Sequence, residues 1–199
     1  MLDPRLNWGY KQLSHEPLVG QPSTYNRGKG VGGTSLINFA MYTIGPQDDY
    51  DEWARIVEDE SFNWENTKPR YKRIENYNTN LAEEYRIYAD PKPESHGQGG
   101  PLNIEIARHW ERGFTETLEA ISNTGIPINK DVNSGDPIGI GATPGTSRNG
   151  IRETASTSYL RKTPENLHIV TNTLVHKVQF DGKRAIGVRT GEKDCMYAP

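Results

Sequence analysis

The chain has 199 residues, a formal net charge of −3 and a mean hydropathy of −0.80. Its acidic and basic residues interleave, which argues against nucleic acid or an anionic membrane surface as a partner. No run approaches the roughly 18 apolar residues of a membrane-spanning helix, and the lone Cys195 excludes an internal disulfide or a cysteine-rich zinc site.

The length allows one domain or parts of two. With Gly counted and Tyr left out, about 38% of residues are apolar, against about 45–50% in ordinary globular chains. So little apolar surface struggles to offset chain entropy. Trp and Tyr are nonetheless plentiful and evenly spread, which argues against disorder. A piece whose core is completed by other segments fits both facts.

In chain order, the first expected helix covers 48–57, with Tyr50, Trp53, Ala54 and Val57 on one face and acids in its first turn. A second is expected over 67–77, with Pro69 in the first turn and Tyr71, Ile74 and Tyr77 inward. Residues 81–100 read as a long polar loop, and 102–106 as a short strand. Trp110, Phe114, Leu118 and Ile121 define a third helix, stopped by Gly125 and Pro127. Residues 129–150 are turn-rich. Thr154 is expected to cap a helix ending at Leu160. Residues 174–180 and 184–189 flank Asp181-Gly182-Lys183 as a hairpin. Helices and short strands mix without regular βαβα order, which suits an α/β plus α+β protein.

The stretch with most chemistry begins at Arg27. Gly28, Gly30, Gly32 and Gly33 precede Thr34, Ser35 and Asn38. Glycine permits positive φ and close ligand approach, and successive backbone N–H groups make a cradle for phosphate or an electron-rich ring edge. A P-loop would carry Lys after the last glycine, where Thr34 stands. Gly28, Gly30 and Gly33 meet G-x-G-x-x-G, a weak sign alone, and an ordinary tight turn competes with it.

Gly28, Lys29, Val31, Gly32, Gly33, Thr34, Ser35, Ile37, Asn38, Tyr42, Gly45 and Asp51 meet every constrained position of a longer pattern. That pattern resembles the first signature of the glucose-methanol-choline (GMC) flavin oxidoreductases. The stretches NWGY (7–10), DDYDEW (48–53), WENTKPRYKRIENY (64–77), HGQGGPL (96–102) and GIRETASTSYL (150–160) resemble further family segments, so the likeness covers nearly the whole chain.

The resemblance implies FAD as cofactor and a partial FAD-binding (Rossmann-like) domain with part of the GMC substrate domain. The implied division is 1–46 and 148–199 in the FAD-binding domain and 47–147 in the substrate domain. The implied cofactor-binding residues are Gly30, Gly33, Thr34, Asn38, Phe39, Ala40, Met41 and Val175. Phe39 stands where family members often carry Gly, so a main-chain contact is expected there, and Val175 is expected to read the adenine edge through its backbone. The implied reaction oxidises a small-molecule alcohol, a histidine base taking the hydroxyl proton while hydride passes to the flavin. The family's N-terminal βαβ unit is expected before this segment and its catalytic histidine after Pro199, so no catalytic residue is expected within the chain. An inactive truncated paralogue or an interaction module is the competing reading.

Outside that signature the residues read as structural. His15, His96, His109, His168 and His176 have no partner at metal-ligand spacing, and no metal site is expected. His168 and His176 fall in strand-like runs. Asp48, Asp49, Glu58, Asp59 and Glu60 read as solvated helix ends. Arg70, Lys72 and Arg73, flanked by Glu65 and Glu75, read as a solvated face.

Overall fold

The computed structural model describes residues 3–12 and 23–191. His15 and Cys195 lie outside them. The chain divides into two units, Met1–Lys162 and Thr163–Pro199.

The first unit opens with a small antiparallel pair, β1 (Tyr10–Gln12) and β2 (Ser23–Tyr25). Helix α1 (Gln47–Val57) carries Asp48 and Asp49 in its first turn, where carboxylates meet the positive end of the helix dipole. Helix α2 spans Trp64–Ile74. Strand β3 (Glu75–Asn78) pairs in parallel with β4 (Leu102–Glu105), Tyr77 opposite Ile104. The crossover between them holds only short 3₁₀ turns. Helix α3 (Phe114–Ser122), the two-residue strands β5 (Ser147–Arg148) and β6 (Ile151–Arg152), and α4 (Ala155–Tyr159) complete the unit. Thr154 caps α4 as expected, in a reciprocal capping box with Thr157.

The second helix differs from its sequence expectation. It starts at Trp64 because the Asn63 side chain accepts from the Asn66 amide and Asp51 Oδ1 accepts from the Trp64 amide at 2.9 Å. Pro69 therefore sits inside the helix rather than in its first turn, where it removes one backbone hydrogen bond. The helix ends at Ile74 because Glu75 turns extended and its carbonyl accepts from the Gly100 amide. Tyr77 is inward as expected, but from a strand. Trp110 precedes α3 rather than lying on it.

Two apolar clusters form the core. Tyr42, Ile44, Trp64, Tyr77 and Ile104 pack with Tyr50, Tyr71 and Leu102. Leu81, Ala89, Ile106 and Ala142 pack with Tyr85, Trp110 and Phe114. The pattern on β3 and β4 explains the first: Tyr77 and Ile104 share the face that points inward, and burying each contributes about 1.5–3 kcal/mol.

In the second unit β7 (Val175–Asp181) and β8 (Arg184–Thr190) form an antiparallel hairpin. Asp181 pairs with Arg184, so Gly182 and Lys183 make a two-residue turn, with Gly182 at φ +58. His176 lies on β7, whereas His168 lies outside any strand. Among the described residues no helix is long and apolar enough to cross a membrane, and no cluster of side chains could hold a metal ion.

Candidate flavin-facing site

The Gly-rich stretch is a loop leading into one 3₁₀ turn, Gly33–Leu36, not a longer helix. Gly30, Gly32 and Gly33 all have positive φ. Gly28 must be glycine for another reason: a Cβ there would lie 2.1 Å from the Gly33 carbonyl oxygen. The Gly28 amide donates to Thr34 Oγ1 at 3.2 Å, so the Thr34 hydroxyl closes the loop from within. Ser35 Oγ donates to the Gly32 carbonyl and accepts from the Ala155 amide at 2.9 Å, which seats the loop against the start of α4.

After the turn the chain runs along the surface. The Asn38 amide donates to the Thr34 carbonyl. Asn38 Oδ1 accepts from the Ala40 amide at 3.1 Å and from Arg152 Nη1 at 2.7 Å. Its Nδ2 group has no partner among the described residues. Phe39 is 94% exposed and Met41 61% exposed. Between them Ala40 adopts φ +58, costing about 1–3 kcal/mol for a non-glycine residue. That backbone is held by Thr146, whose amide donates to the Ala40 carbonyl at 2.7 Å. The Tyr42 amide donates to the Pro144 carbonyl at 2.9 Å.

Gly30, Gly33, Thr34 and Asn38 to Met41 therefore form one continuous strip on the first unit. Val175 stands at the start of β7 in the second, paired with Thr190 and half exposed. Phe39 and Met41 also border an open groove of about 590 Å³ whose other walls include Arg108, His109 and Pro144. A second groove, of about 670 Å³ between α1 and α2, is lined by Tyr50, Trp53, Phe62 and Tyr71 and includes no residue of the strip.

Directly after the strip, Tyr42 leads into a polar cluster. Tyr42 donates its hydroxyl to Glu75 Oε1 at 2.8 Å, and the Gly97 amide donates to Glu75 Oε2 at 2.7 Å. His96 Nδ1 is 3.7 Å from Glu75 Oε2, and His96 Nε2 is 3.0 Å from Asp131 Oδ2. Tyr77 stacks on the imidazole at 3.9 Å between ring centres. Burial alone would lower the His96 pKa; the hydrogen bond to Asp131 and the pairing with Glu75 outweigh it and raise it to about 9. Burial works to raise the Glu75 pKa, but His96, the Gly97 amide and Tyr42 together hold it below its ordinary value. Burial, then the Glu75 charge, push the Tyr42 hydroxyl far up, so it remains a donor.

Glu75, expected beside a solvated face, is instead fully buried. The helical spacing of 64–77 hid the turn into β3 that points Glu75 inward. The available signal was the HGQGGP stretch. A Cβ at Gly97 would lie 1.8 Å from the Lys72 carbonyl oxygen, and one at Gly100 2.4 Å from the Ile74 carbonyl carbon, so this stretch lies directly on the end of α2.

The first unit thus joins a mixed α/β fold to a Gly-rich loop that runs into the exposed side chains of Phe39 and Met41. Residues 14–197 match the family model described as GMC oxidoreductase, and the chain belongs to that family. It is 31% identical over 183 residues to pyranose dehydrogenase 2 of Leucoagaricus meleagris, covering 89% of this chain and 30% of that protein. It is 33% identical over 190 residues to the oxygen-dependent choline dehydrogenase of Pseudomonas fluorescens (strain SBW25), covering 93% and 31%. Among solved structures, an FAD-dependent oxidoreductase from Chaetomium thermophilum matches with TM-score 0.84 at 26% identity, over 93% of this chain and 32% of that one. Pyridoxine 4-oxidase from Mesorbium loti matches with TM-score 0.80 at 24% identity, over 93% and 35%. The chain spans about 30% of the length of these curated relatives.

FAD is the cofactor that family membership assigns. The residues fit it: nothing lies within 4 Å of where a Gly33 Cβ would stand, and the Asn38 Nδ2 donor points to no protein acceptor among the described residues. Such a cradle accepts a flat, electron-rich group with several acceptor atoms.

Proposed function

We propose that this chain is the flavin-cradling portion of an oxidoreductase that oxidises an alcohol group. In this reading residues 1–46 and 148–199 contribute to the FAD-binding domain and 47–147 to the substrate domain. Gly30 and Gly33 offer backbone close to the cofactor, Thr34 its hydroxyl, and Asn38 to Met41 the wall against the flavin, with Val175 serving the adenine end. The observation that carries the reading is the strip Asn38–Met41, turned at a left-handed Ala40 so that Phe39 and Met41 stand exposed.

When bound, FAD supplies a two-electron acceptor for the hydride of a CH–OH group. The chain's own part is to orient and to exclude water. Asn38 would hold the cofactor through its Nδ2 donor, and the apolar surfaces of Phe39 and Met41 would keep water from it. This gives the chain a binding wall. The names of two relatives carry a pyranose and choline, both bearing hydroxyl groups, which supports an alcohol or sugar substrate.

The test is anaerobic mixing of the purified full-length protein with sugars, choline and simple primary alcohols. Bleaching of the visible flavin band by at least one of them is expected. Protein without flavin, or flavin that no hydroxyl compound reduces, would overturn the reading.

A further inference from the structure

We propose that His96 is a positioning residue for the flavin wall, acting through a closed ring formed with Tyr42, Glu75, Asp131 and Asn133. The inference rests on the reading of Asn38–Met41 as that wall.

The ring combines hydrogen bonds with one longer charge pairing, that of Glu75 with His96. The Tyr42 hydroxyl donates to Glu75, Glu75 faces His96 Nδ1, and His96 Nε2 meets Asp131 Oδ2. The Asn133 amide donates to Asp131 Oδ1 at 3.1 Å. Asn133 then closes the circle: its Nδ2 donates to the Tyr42 carbonyl at 3.0 Å and its Oδ1 accepts from the Ile44 amide at 2.9 Å. The strip is therefore gripped at 42–44, directly after its last exposed residue, by main-chain and side-chain bonds together.

His96 is the one side chain in the ring that can carry a positive charge. Its side chain is 1% exposed, as is that of Glu75, and the Asp131 side chain is 14% exposed. Without the imidazolium two largely buried carboxylates would face one another's field with no countercharge, and Asp131 would no longer hold Asn133 in place. Tyr77, stacked on the ring, fixes its plane but brings no charge. His96 Nδ1 is buried without a hydrogen-bond partner, 3.7 Å from Glu75 Oε2, so this link is one of charge rather than of a hydrogen bond. The raised His96 pKa, about 9, agrees with a charged ring at neutral pH.

The test uses the full-length protein and its His96→Gln, Tyr42→Phe and Asn38→Leu variants, compared at equal folded fraction. Tyr42→Phe alters no buried charge and serves if His96→Gln does not fold. The readouts are FAD affinity, by quenching of free flavin fluorescence, and the visible circular dichroism of the bound flavin against pH. The parent is expected to show a step near pH 9 that His96→Gln abolishes. Both ring variants are expected to bind FAD about tenfold more weakly. A merely structural role would lower melting temperature without removing the step. If Asn38→Leu weakens FAD binding while both ring variants bind as the parent does and the step persists, the inference is wrong and the wall reading stands. If Asn38→Leu also binds as the parent does, both fall.

Discussion

Arg152 donates from Nη1 to Asn38 Oδ1 at 2.7 Å, and this bond decides what Asn38 can offer. The same oxygen also accepts from the Ala40 amide. With two donors on its oxygen, the carboxamide is oriented and presents Nδ2 outward. A carboxamide can both donate and accept; here the oxygen of Asn38 is taken and its donor is left. Arg152 further reaches the Ser35 carbonyl at 3.3 Å, so one guanidinium ties the 3₁₀ turn, the strip and β6 together.

Arg152→Leu therefore frees the Asn38 amide to turn. FAD affinity of the full-length protein should fall by about three- to tenfold, with far-UV circular dichroism unchanged, since one charge-assisted hydrogen bond orients the donor. Arg161→Leu is the control, because Arg161 pairs with Glu153 and does not touch the strip. Equal losses from both substitutions would refute a specific role for Arg152.

Stability should depend on pH through His96 and Glu75. The folded His96 pKa, about 9, exceeds its ordinary 6.5, so folding gains from its proton. That contribution is complete below about pH 6.5 and is lost as pH rises through about 9. Glu75 is held below its ordinary 4.5, so its contribution is present above about pH 4.5 and lost as pH falls through the folded value. The melting temperature should be flat from about pH 4.5 to about pH 6.5 and fall from there toward about pH 9. His96→Gln should remove the alkaline fall, and a parent-like fall in that variant would exclude His96 as its source.

How much of this was legible in the sequence can be seen element by element. Helix α1, the Thr154 cap and the hairpin around Gly182 are local devices, and their residues announced them. The Gly-rich turn was legible because its spacing fits few conformations. The end of α2 was not, since Tyr71, Ile74 and Tyr77 suit a helix face whether or not the helix continues. What stopped it was the approach of Gly97 and Gly100, more than twenty residues further on. The ring around His96 was hidden for the same reason: its five members come from four separate stretches, and no spacing rule links Tyr42 to Glu75 or Asn133.

Those two glycines give a contrast with Gly33. Gly97→Ala places a methyl 1.8 Å from the Lys72 carbonyl oxygen, a backbone atom that cannot swing aside. It also pulls on the Gly97 bonds to Glu75 and Tyr77. A loss of about 3 kcal/mol or more is expected. Gly33→Ala meets open space but sits at φ +59, so only about 1–2 kcal/mol of backbone strain is expected. Denaturant titration of both variants checks the order, and a Gly97→Ala protein as stable as the parent would contradict the close packing of 96–100 on α2.

The wall itself is tested by three substitutions of graded severity in the full-length protein. Asn38→Leu removes the outward donor and also leaves the Arg152 and Ala40 donors without their acceptor, so cofactor binding should weaken by about 1–3 kcal/mol. Thr34→Val keeps the shape but takes away the oxygen that accepts from the Gly28 amide, so the loop loosens from within. Its effect should be smaller, about 1 kcal/mol, because the amide it abandons is near solvent. Lys72→Ala removes a bond to the Glu94 carbonyl at the far end of α2 and touches nothing on the strip. It should leave flavin retention within error of the parent. The measurement is flavin retained after desalting, at equal folded concentration. The order Asn38→Leu, Thr34→Val, Lys72→Ala follows only if the strip faces the cofactor; if Lys72→Ala loses as much flavin as Asn38→Leu, the losses come from general loosening and the strip is not the wall.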